Sequence, residues 1–179
     1  GKTTLVKLLM HLYDVTDGSI CYGGHDIREY GTGEYRERIG AVFQDYQIYG
    51  ATLAENVLMD EVEVGDRERI LEALKQADFE KRLLRLPDGL DTNMTREFRE
   101  DGTMLSGGEA QKVAIARMFV RTGKQFLAIL DEPSSALDPL AEYQLNTNMM
   151  KNAGDAAVIF ISHRLSTTRD ADRIYMFEN

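Results

Sequence analysis

Two short, uninterrupted apolar runs constrain this chain most. Residues 126–130 (FLAIL) lead directly into Asp131-Glu132, and residues 157–161 (AVIFI) lead into Ser162-His163. A run of this length without polar alternation predicts a strand covered on both faces. A helical stretch at about 140–150 separates the two, a third apolar run lies at 39–43 (IGAVF), and 173–177 reads as a last strand. Continuous apolar strands alternating with helices predict an α/β fold with a mostly parallel sheet covered on both faces.

The rest of the chain fits around that sheet. Leu5, Val6, Leu8, Leu9 and Leu12 form a helical stripe within 3–12, and 19–22 reads as a short strand before Gly23-Gly24. Helices are predicted at 50–59 and 66–77, the second with Ile70, Leu71, Leu74 and Ala77 on one face. Leu86-Pro87-Asp88-Gly89 breaks the pattern, 92–102 is a polar, charged loop, and 107–120 is a further helix. Between Gln44 and about Gly102 there are helices and no convincing strand, so this region reads as a helical insertion into the α/β core. No internal repeat is visible.

Composition narrows the function. With 21 Lys+Arg against 30 Asp+Glu the net charge is −9, which argues against a general nucleic-acid binder that needs a basic face. It leaves room for small anions, which a few amides and one or two cations can hold. The one cysteine, Cys21, rules out an internal disulfide framework and suits a reducing compartment. The longest apolar runs fall far short of the roughly 20 residues a membrane span requires. Neither a signal peptide nor an initiating methionine is present, so the chain reads as an excerpt from a longer polypeptide.

Three segments carry chemistry. Gly1-Lys2-Thr3-Thr4 opens a helix and matches the end of the phosphate-binding pattern Gly-x-x-x-x-Gly-Lys-[Ser/Thr]. The helix start offers amides to phosphate, Lys2 a cation and Thr3 a hydroxyl for Mg²⁺, although a plain capped helix reads the same way. Asp131-Glu132 at the end of a buried strand suits Mg²⁺-nucleotide chemistry: Asp131 to hold the metal, Glu132 to polarise water. Asp-Glu-Pro is also good turn chemistry. Leu105-Ser106-Gly107-Gly108-Glu109 precedes a helix, with glycines that admit close approach of a phosphate and a Ser106/Glu109 capping-box spacing. The two readings of that segment are compatible.

Together with these segments, LSGGEAQKVAIAR followed about one helix later by FLAILDEP resembles the nucleotide-binding domain of the ABC (ATP-binding cassette) ATPases. GKTT resembles the end of Walker A, Val42-Phe43-Gln44-Asp45 the Q-loop, LSGGE the signature loop and Leu130-Asp131-Glu132-Pro133 the end of Walker B. Ser134-Ser135-Ala136-Leu137-Asp138 resembles the D-loop, and residues 161–167 (ISHRLST) the H-loop. The segments YGATLAENV after the Q-loop, LPDGLDT and SHRLSTTRDADRIYMF are similar to exporter domains. The run TREFREDG before the signature is longer and more charged than the short turn exporters usually carry, and resembles a branch of bacterial multidrug-type exporters.

The resemblance implies a P-loop NTPase core with an inserted α-helical subdomain. It implies one incomplete domain over 1–179, with 1–43 and about 109–179 as α/β core and about 44–108 as the helical subdomain. It implies ATP and Mg²⁺ as ligands. Gly1, Lys2, Thr3 and Thr4 would bind ATP; Thr3, Gln44 and Asp131 would hold Mg²⁺; Glu132 would be the general base, with His163 and Gln44 completing the catalytic set. Two such domains would pack head to tail, so that Ser106, Gly107, Gly108 and Glu109 close over a partner domain's ATP, with Asp138 at the interface. A transmembrane domain, fused upstream or separate, would be driven by hydrolysis at the cytoplasmic face of the plasma membrane. The first strands, the adenine-stacking aromatic and most of the phosphate loop would lie upstream, so the excerpt alone is expected to bind ATP poorly and to be inactive. His11 and His25 have no such assignment and read as surface or packing residues.

Two alternatives differ in class. A soluble relative in chromosome maintenance or DNA repair would insert a long coiled coil between Q-loop and signature, whereas only 61 positions (105 − 44) separate Gln44 from Leu105, without sustained heptads. A non-hydrolysing binding domain would typically lack the carboxylate at 132 or the histidine at 163, and both are present.

Overall fold

The computed structural model describes residues 1–121, 125–132, 139–152, 156–162 and 171–177. Three strands, β3 (Ile39–Val42), β4 (Leu127–Asp131) and β5 (Ala157–Ile161), form a parallel sheet in the order β3-β4-β5. Their register pairs Val42 with Leu130 and Asp131 with Ile161. A separate hairpin pairs β1 (Cys21–Tyr22) with β2 (His25–Asp26) antiparallel. Its turn residues, Gly23 and Gly24, sit at φ 59° and 86°, the left-handed pair that a two-residue hairpin turn requires.

Alternation along the central strand sends side chains into two cores. Leu127 and Ile129 join Val6, Ile27, Tyr35, Ile39 and Ile161 on one face. Ala128 and Leu130 join Val42 and a larger helical core on the other. The first face is covered by α1 (Lys2–Leu9) and α2 (Thr32–Glu37). The Tyr35 hydroxyl donates to Leu9 O at 2.8 Å, and Arg36 Nε donates to Met10 O at 3.2 Å. Because α2 feeds straight into β3, these bonds hold the end of α1 beside the beginning of that strand. Val6 lies on the same face as Ile129 and Ile161, so α1 runs antiparallel to the strands with its first turn toward their carboxyl ends.

On the second face lie α3 (Leu53–Leu58), α4 (Arg67–Gln76), α6 (Gly107–Phe119) and α7 (Pro139–Asn152), with the short α5 (Glu80–Leu83) after α4. The helix α6 is buried on nearly all sides: Gln111, Val113, Ala114, Ile115, Ala116, Met118 and Phe119 are all inaccessible. A helix buried on most of its faces is packed between layers, and α6 has α3 and α4 on one side and β3 on the other. The stripe of α4 is Ile70, Ala73 and Leu74, continued by Ala77. Leu71, expected on that face, is exposed, because a step of 100° from Ile70 turns it toward solvent. After α4 the chain reverses at Asp78, φ 56°, where Lys112 Nζ meets the Asp78 carboxylate at 2.6 Å and its carbonyl at 3.0 Å. That reversal drops Phe79 into the core, fully buried.

The polar segment expected as a loop at 92–102 is a tight fold-back. Thr95 N donates to Thr103 O at 3.0 Å and Thr103 N to Asn93 O at 2.9 Å, while a Cβ at Gly102 would overlap the Thr95 carbonyl. Residues 173–177, expected as a strand, are not one. They are exposed and pair with no described strand, and an extended segment without a ladder has nothing to hold it. His11 packs edge-on to Tyr35 and pairs with Asp14, and His25 pairs with Glu29 at the surface, as expected for packing and surface histidines.

Phe79→Ala removes a fully buried ring from the junction of α4 and α6 and is expected to cost ~3–5 kcal/mol. Denaturant titration of the intact protein checks this. Phe79→Leu, closer in volume, should recover most of the loss.

Candidate functional site

A parallel sheet gathers the residues that follow its strands at one edge. Asp131 is the last residue of β4, paired with Ile161, and Glu132 N donates to Ile161 O at 2.9 Å, so the ladder extends one step past Asp131. Glu132 then turns into the left-handed region, φ 49°, which is uncommon for a residue with a side chain. Asp131 and Glu132 are both half-buried. Gln44 lies in the turn two residues past the end of β3, exposed to solvent. Ser162 follows β5 there, while His163 and Asp138 lie outside the described residues.

The first turn of α1 points to this edge. Gly1 is its N-cap, no described side chain caps it, and no acidic residue lies in the first turn. An eight-residue helix with Lys2 and Thr3 in its first turn suits an anion. The donor set also suits Mg²⁺. Among the described residues no three His, Cys, Asp or Glu side chains converge as a protein cage. A nucleotide-bound Mg²⁺ does not need one, since it takes one or two protein oxygens and completes its shell with phosphate and water. The oxygens of Asp131, Thr3 and Gln44 are of that kind.

The signature segment is a fully formed capping box. Ser106 N donates to Glu109 Oε2 at 2.8 Å and Glu109 N donates to Ser106 Oγ at 3.3 Å. The other Glu109 oxygen lies 3.0 Å from Arg82 Nε. Accepting one bond leaves the Ser106 hydroxyl its own proton to donate. No atom lies within 4 Å of a Cβ placed on Gly107, so backbone is open to approach there.

Tyr46, which belongs to the aromatic and apolar cluster Tyr46, Ile48 and Tyr49 after Gln44, organises the region together with Arg117 and Asn56, which do not stand out in the sequence. The Tyr46 hydroxyl donates to Gly107 O at 2.8 Å. Arg117 Nε donates to Asn56 O at 2.8 Å and its Nη2 to Gln47 O at 2.6 Å, with the guanidinium 5.7 Å from the Tyr49 ring centre. Burial pulls the Arg117 pKa below the ordinary arginine value. Asn56, 1% exposed, accepts from Tyr49 N at 2.8 Å and donates to Tyr49 O and Thr52 O at 3.0 Å each. A polar side chain in a short helix flanked by apolar residues was the available signal for Asn56. Nothing in sequence distinguishes Arg117 from a solvated helix charge.

Of the aromatic cluster after Gln44, Tyr46 and Ile48 pack on the helical core, and burial raises the Tyr46 pKa. Tyr49 remains 50% exposed and Phe98 82% exposed. The Phe98 ring lies over Gly50, where a Cβ would meet it at 2.5 Å.

Comparison with known proteins follows the same outline. The family model described as ABC transporter matches residues 1–135. The chain belongs to the ABC transporter family. A multidrug export ATP-binding/permease protein of Staphylococcus aureus is 38% identical over all 179 residues, and YgaD of Bacillus subtilis, of the same description, is also 38% identical over 179. In each case the chain spans 30% of the relative's length. The solved structure of a bacterial Atm1-family ABC exporter with ATP bound superposes with a TM-score of 0.83 at 34% identity, covering 96% of this chain and 29% of that one. As an ABC-family α/β domain, the chain carries its helical insertion between β3 and β4.

Ser106→Ala removes the cap of α6 and is expected to cost about 0.5–2 kcal/mol, read as a lower thermal midpoint. Ser106→Thr should retain most of the stability. Equal midpoints for all three would show that the box contributes nothing.

Proposed function

We propose that this chain is the ATP-binding and ATP-hydrolysing domain of an ABC exporter, one whose hydrolysis powers transport by a membrane domain. What supports the reading is the carboxyl edge of one parallel sheet, where Asp131 ends β4, Glu132 comes next and Gln44 follows β3, with the last turn of α1 tied to the helix that precedes β3. The 38% identity to multidrug export ATP-binding/permease proteins supports the export half. No helix among the described residues is long and apolar enough to cross a membrane, so the membrane domain is a different segment or chain. The domain is read as one unit, with 1–43 and about 109–179 as core and about 44–108 as helical subdomain.

Amides of Gly1, Thr3 and Thr4 and the Lys2 ammonium bind the β- and γ-phosphates of ATP. Thr3, Gln44 and Asp131 hold Mg²⁺, which when bound offsets the negative charge on the phosphate oxygens. Glu132 takes the proton of the attacking water, at a position where the backbone leaves the strand in the left-handed region. His163 holds the γ-phosphate and Gln44 orients the water. Ser106, Gly107, Gly108 and Glu109 serve the ATP of a second domain packed head to tail, with Asp138 at that interface. Because its carboxylate already ties Ser106 and faces Arg82, Glu109 acts by holding the loop, while the Ser106 hydroxyl and the glycine amides face the phosphate. The site faces the cytoplasm. The exposed Tyr49–Phe98 pair, beside Gly50, receives the cytoplasmic end of a transmembrane helix, an aromatic contact of the kind that anchors interfaces.

In the full-length protein, Glu132→Gln should retain ATP binding and lose about 10²–10⁴-fold in hydrolysis, because the amide keeps the shape but cannot accept the proton. Steady-state phosphate release and nucleotide binding measured together check this; turnover near the parent rate would remove Glu132 as the base. Tyr49→Ala and Phe98→Ala should lower transport while much of the ATPase rate survives. Unchanged transport in both variants would refute the docking assignment.

A further inference from the structure

The helix that carries the signature loop is fastened at both ends to the segment that follows Gln44. Near its start, the Tyr46 hydroxyl donates to the carbonyl of Gly107, the first helical residue of α6. That carbonyl belongs to the phosphate-facing turn itself. Nearly three turns further along, Arg117 reaches across with two nitrogens, Nε to Asn56 O and Nη2 to Gln47 O. Asn56 in turn clasps residue 49 through both its backbone N–H and its carbonyl, so Gln47, Tyr49 and Asn56 form one hydrogen-bonded unit on Arg117. These contacts join residues 61 and 70 positions apart in sequence.

The mechanical consequence follows from how such bonds fail. An α-helix is stiff along its axis, and a segment bonded to it at Gly107 and at Arg117 cannot slide past it without breaking a bond at one end. Arg117 is largely removed from water, so a lost partner would leave a poorly solvated charge unmatched. Tyr46 lies two residues from Gln44. Any displacement of Gln44 therefore reaches Gly107 through a two-residue backbone link and one hydroxyl.

We propose that Tyr46 and Arg117 are positioning residues that lock the signature helix to the Gln44 segment, so that the state of one nucleotide site sets the placement of Ser106–Gly108 over the other. This deepens the ATPase reading above and rests on it. Neither side chain touches nucleotide; each acts through the helix it holds. Tyr46 contributes its hydroxyl, which reports the position of one carbonyl. Arg117 contributes the planar fork, which a lysine cannot reproduce because its single ammonium cannot span the Gln47 and Asn56 carbonyls in the same geometry.

The test uses the full-length transporter with MgATP as probe. Parent, Tyr46→Phe, Arg117→Lys and Glu132→Gln are compared for kcat, KM for ATP, Hill coefficient and thermal midpoint. Tyr46→Phe removes one oxygen and should keep the parent midpoint and a KM within about twofold. Its kcat should fall about fivefold, the worth of one neutral hydrogen bond, and its Hill coefficient should move toward one. Arg117→Lys should show the same split with a fall of about tenfold. A role in folding alone would lower the midpoint and the active fraction and leave the Hill coefficient unchanged. If Tyr46→Phe keeps the parent kcat and Hill coefficient, or changes KM alone, the coupling is overturned whatever Arg117→Lys does. If the parent itself hydrolyses no more ATP than Glu132→Gln, the ATPase reading has failed instead.

Discussion

The parallel pairing of β3, β4 and β5 is the constraint on which the rest depends. Parallel strands in register end together, so Val42, Asp131 and Ile161 finish at one edge and the residues after them share it. In an antiparallel arrangement alternate strands would deliver those residues to opposite edges. The sheet is also thin, four or five residues per strand, which makes register decisive. A slip of one residue in β4 would exchange Leu127 and Ile129 with Ala128 and Leu130 between the two cores, and would carry Asp131 away from the edge.

The two faces divide the work. On the first, a small core around Val6, Tyr35 and Ile129 seats α1 against the sheet, with two side chains of α2 fixing its last turn. On the second, α6 is wedged between the sheet and the insertion, and its buried length is the shared wall of both. Hydrogen bonds from Tyr46 and Arg117 add to the apolar packing that seats this helix against the insertion. The Lys112–Asp78 pair adds a third fastening, on the α4 side.

Much of this was legible in sequence because local chemistry and tertiary role coincide. The apolar runs at 39–43, 126–130 and 157–161 each form a strand; β3 and β4 are buried as expected, whereas β5, at one edge of the described sheet, is only partly buried. Ser106 with Glu109 predicted a capping box that the structure realises atom for atom. The failures share a cause as well. The 173–177 segment has strand-type residues, but a strand is a property of a pair, and no described strand lies beside it. Leu71 was placed on the buried face with Ile70, Leu74 and Ala77, and the helix phase set by Ile70 and Leu74 turns it to solvent. Tyr46, Asn56 and Arg117 were illegible as a group because their link spans 61 to 70 residues, and each alone reads as an ordinary polar position.

The most direct test of the shared edge replaces Mg²⁺ by Mn²⁺ and reads the metal itself. Electron paramagnetic resonance of the full-length protein with Mn²⁺ and ATP should give a bound-metal signal in the parent and in Glu132→Gln, since Glu132 follows the metal carboxylate and is not a ligand. Asp131→Asn should weaken Mn²⁺ binding at least tenfold, about 1.4 kcal/mol, while ATP alone still binds through the first turn of α1. An unchanged bound signal in Asp131→Asn, with loss in Glu132→Gln, would contradict the account, because the metal would then sit off the end of β4 and the edge would not be organised as the sheet register implies.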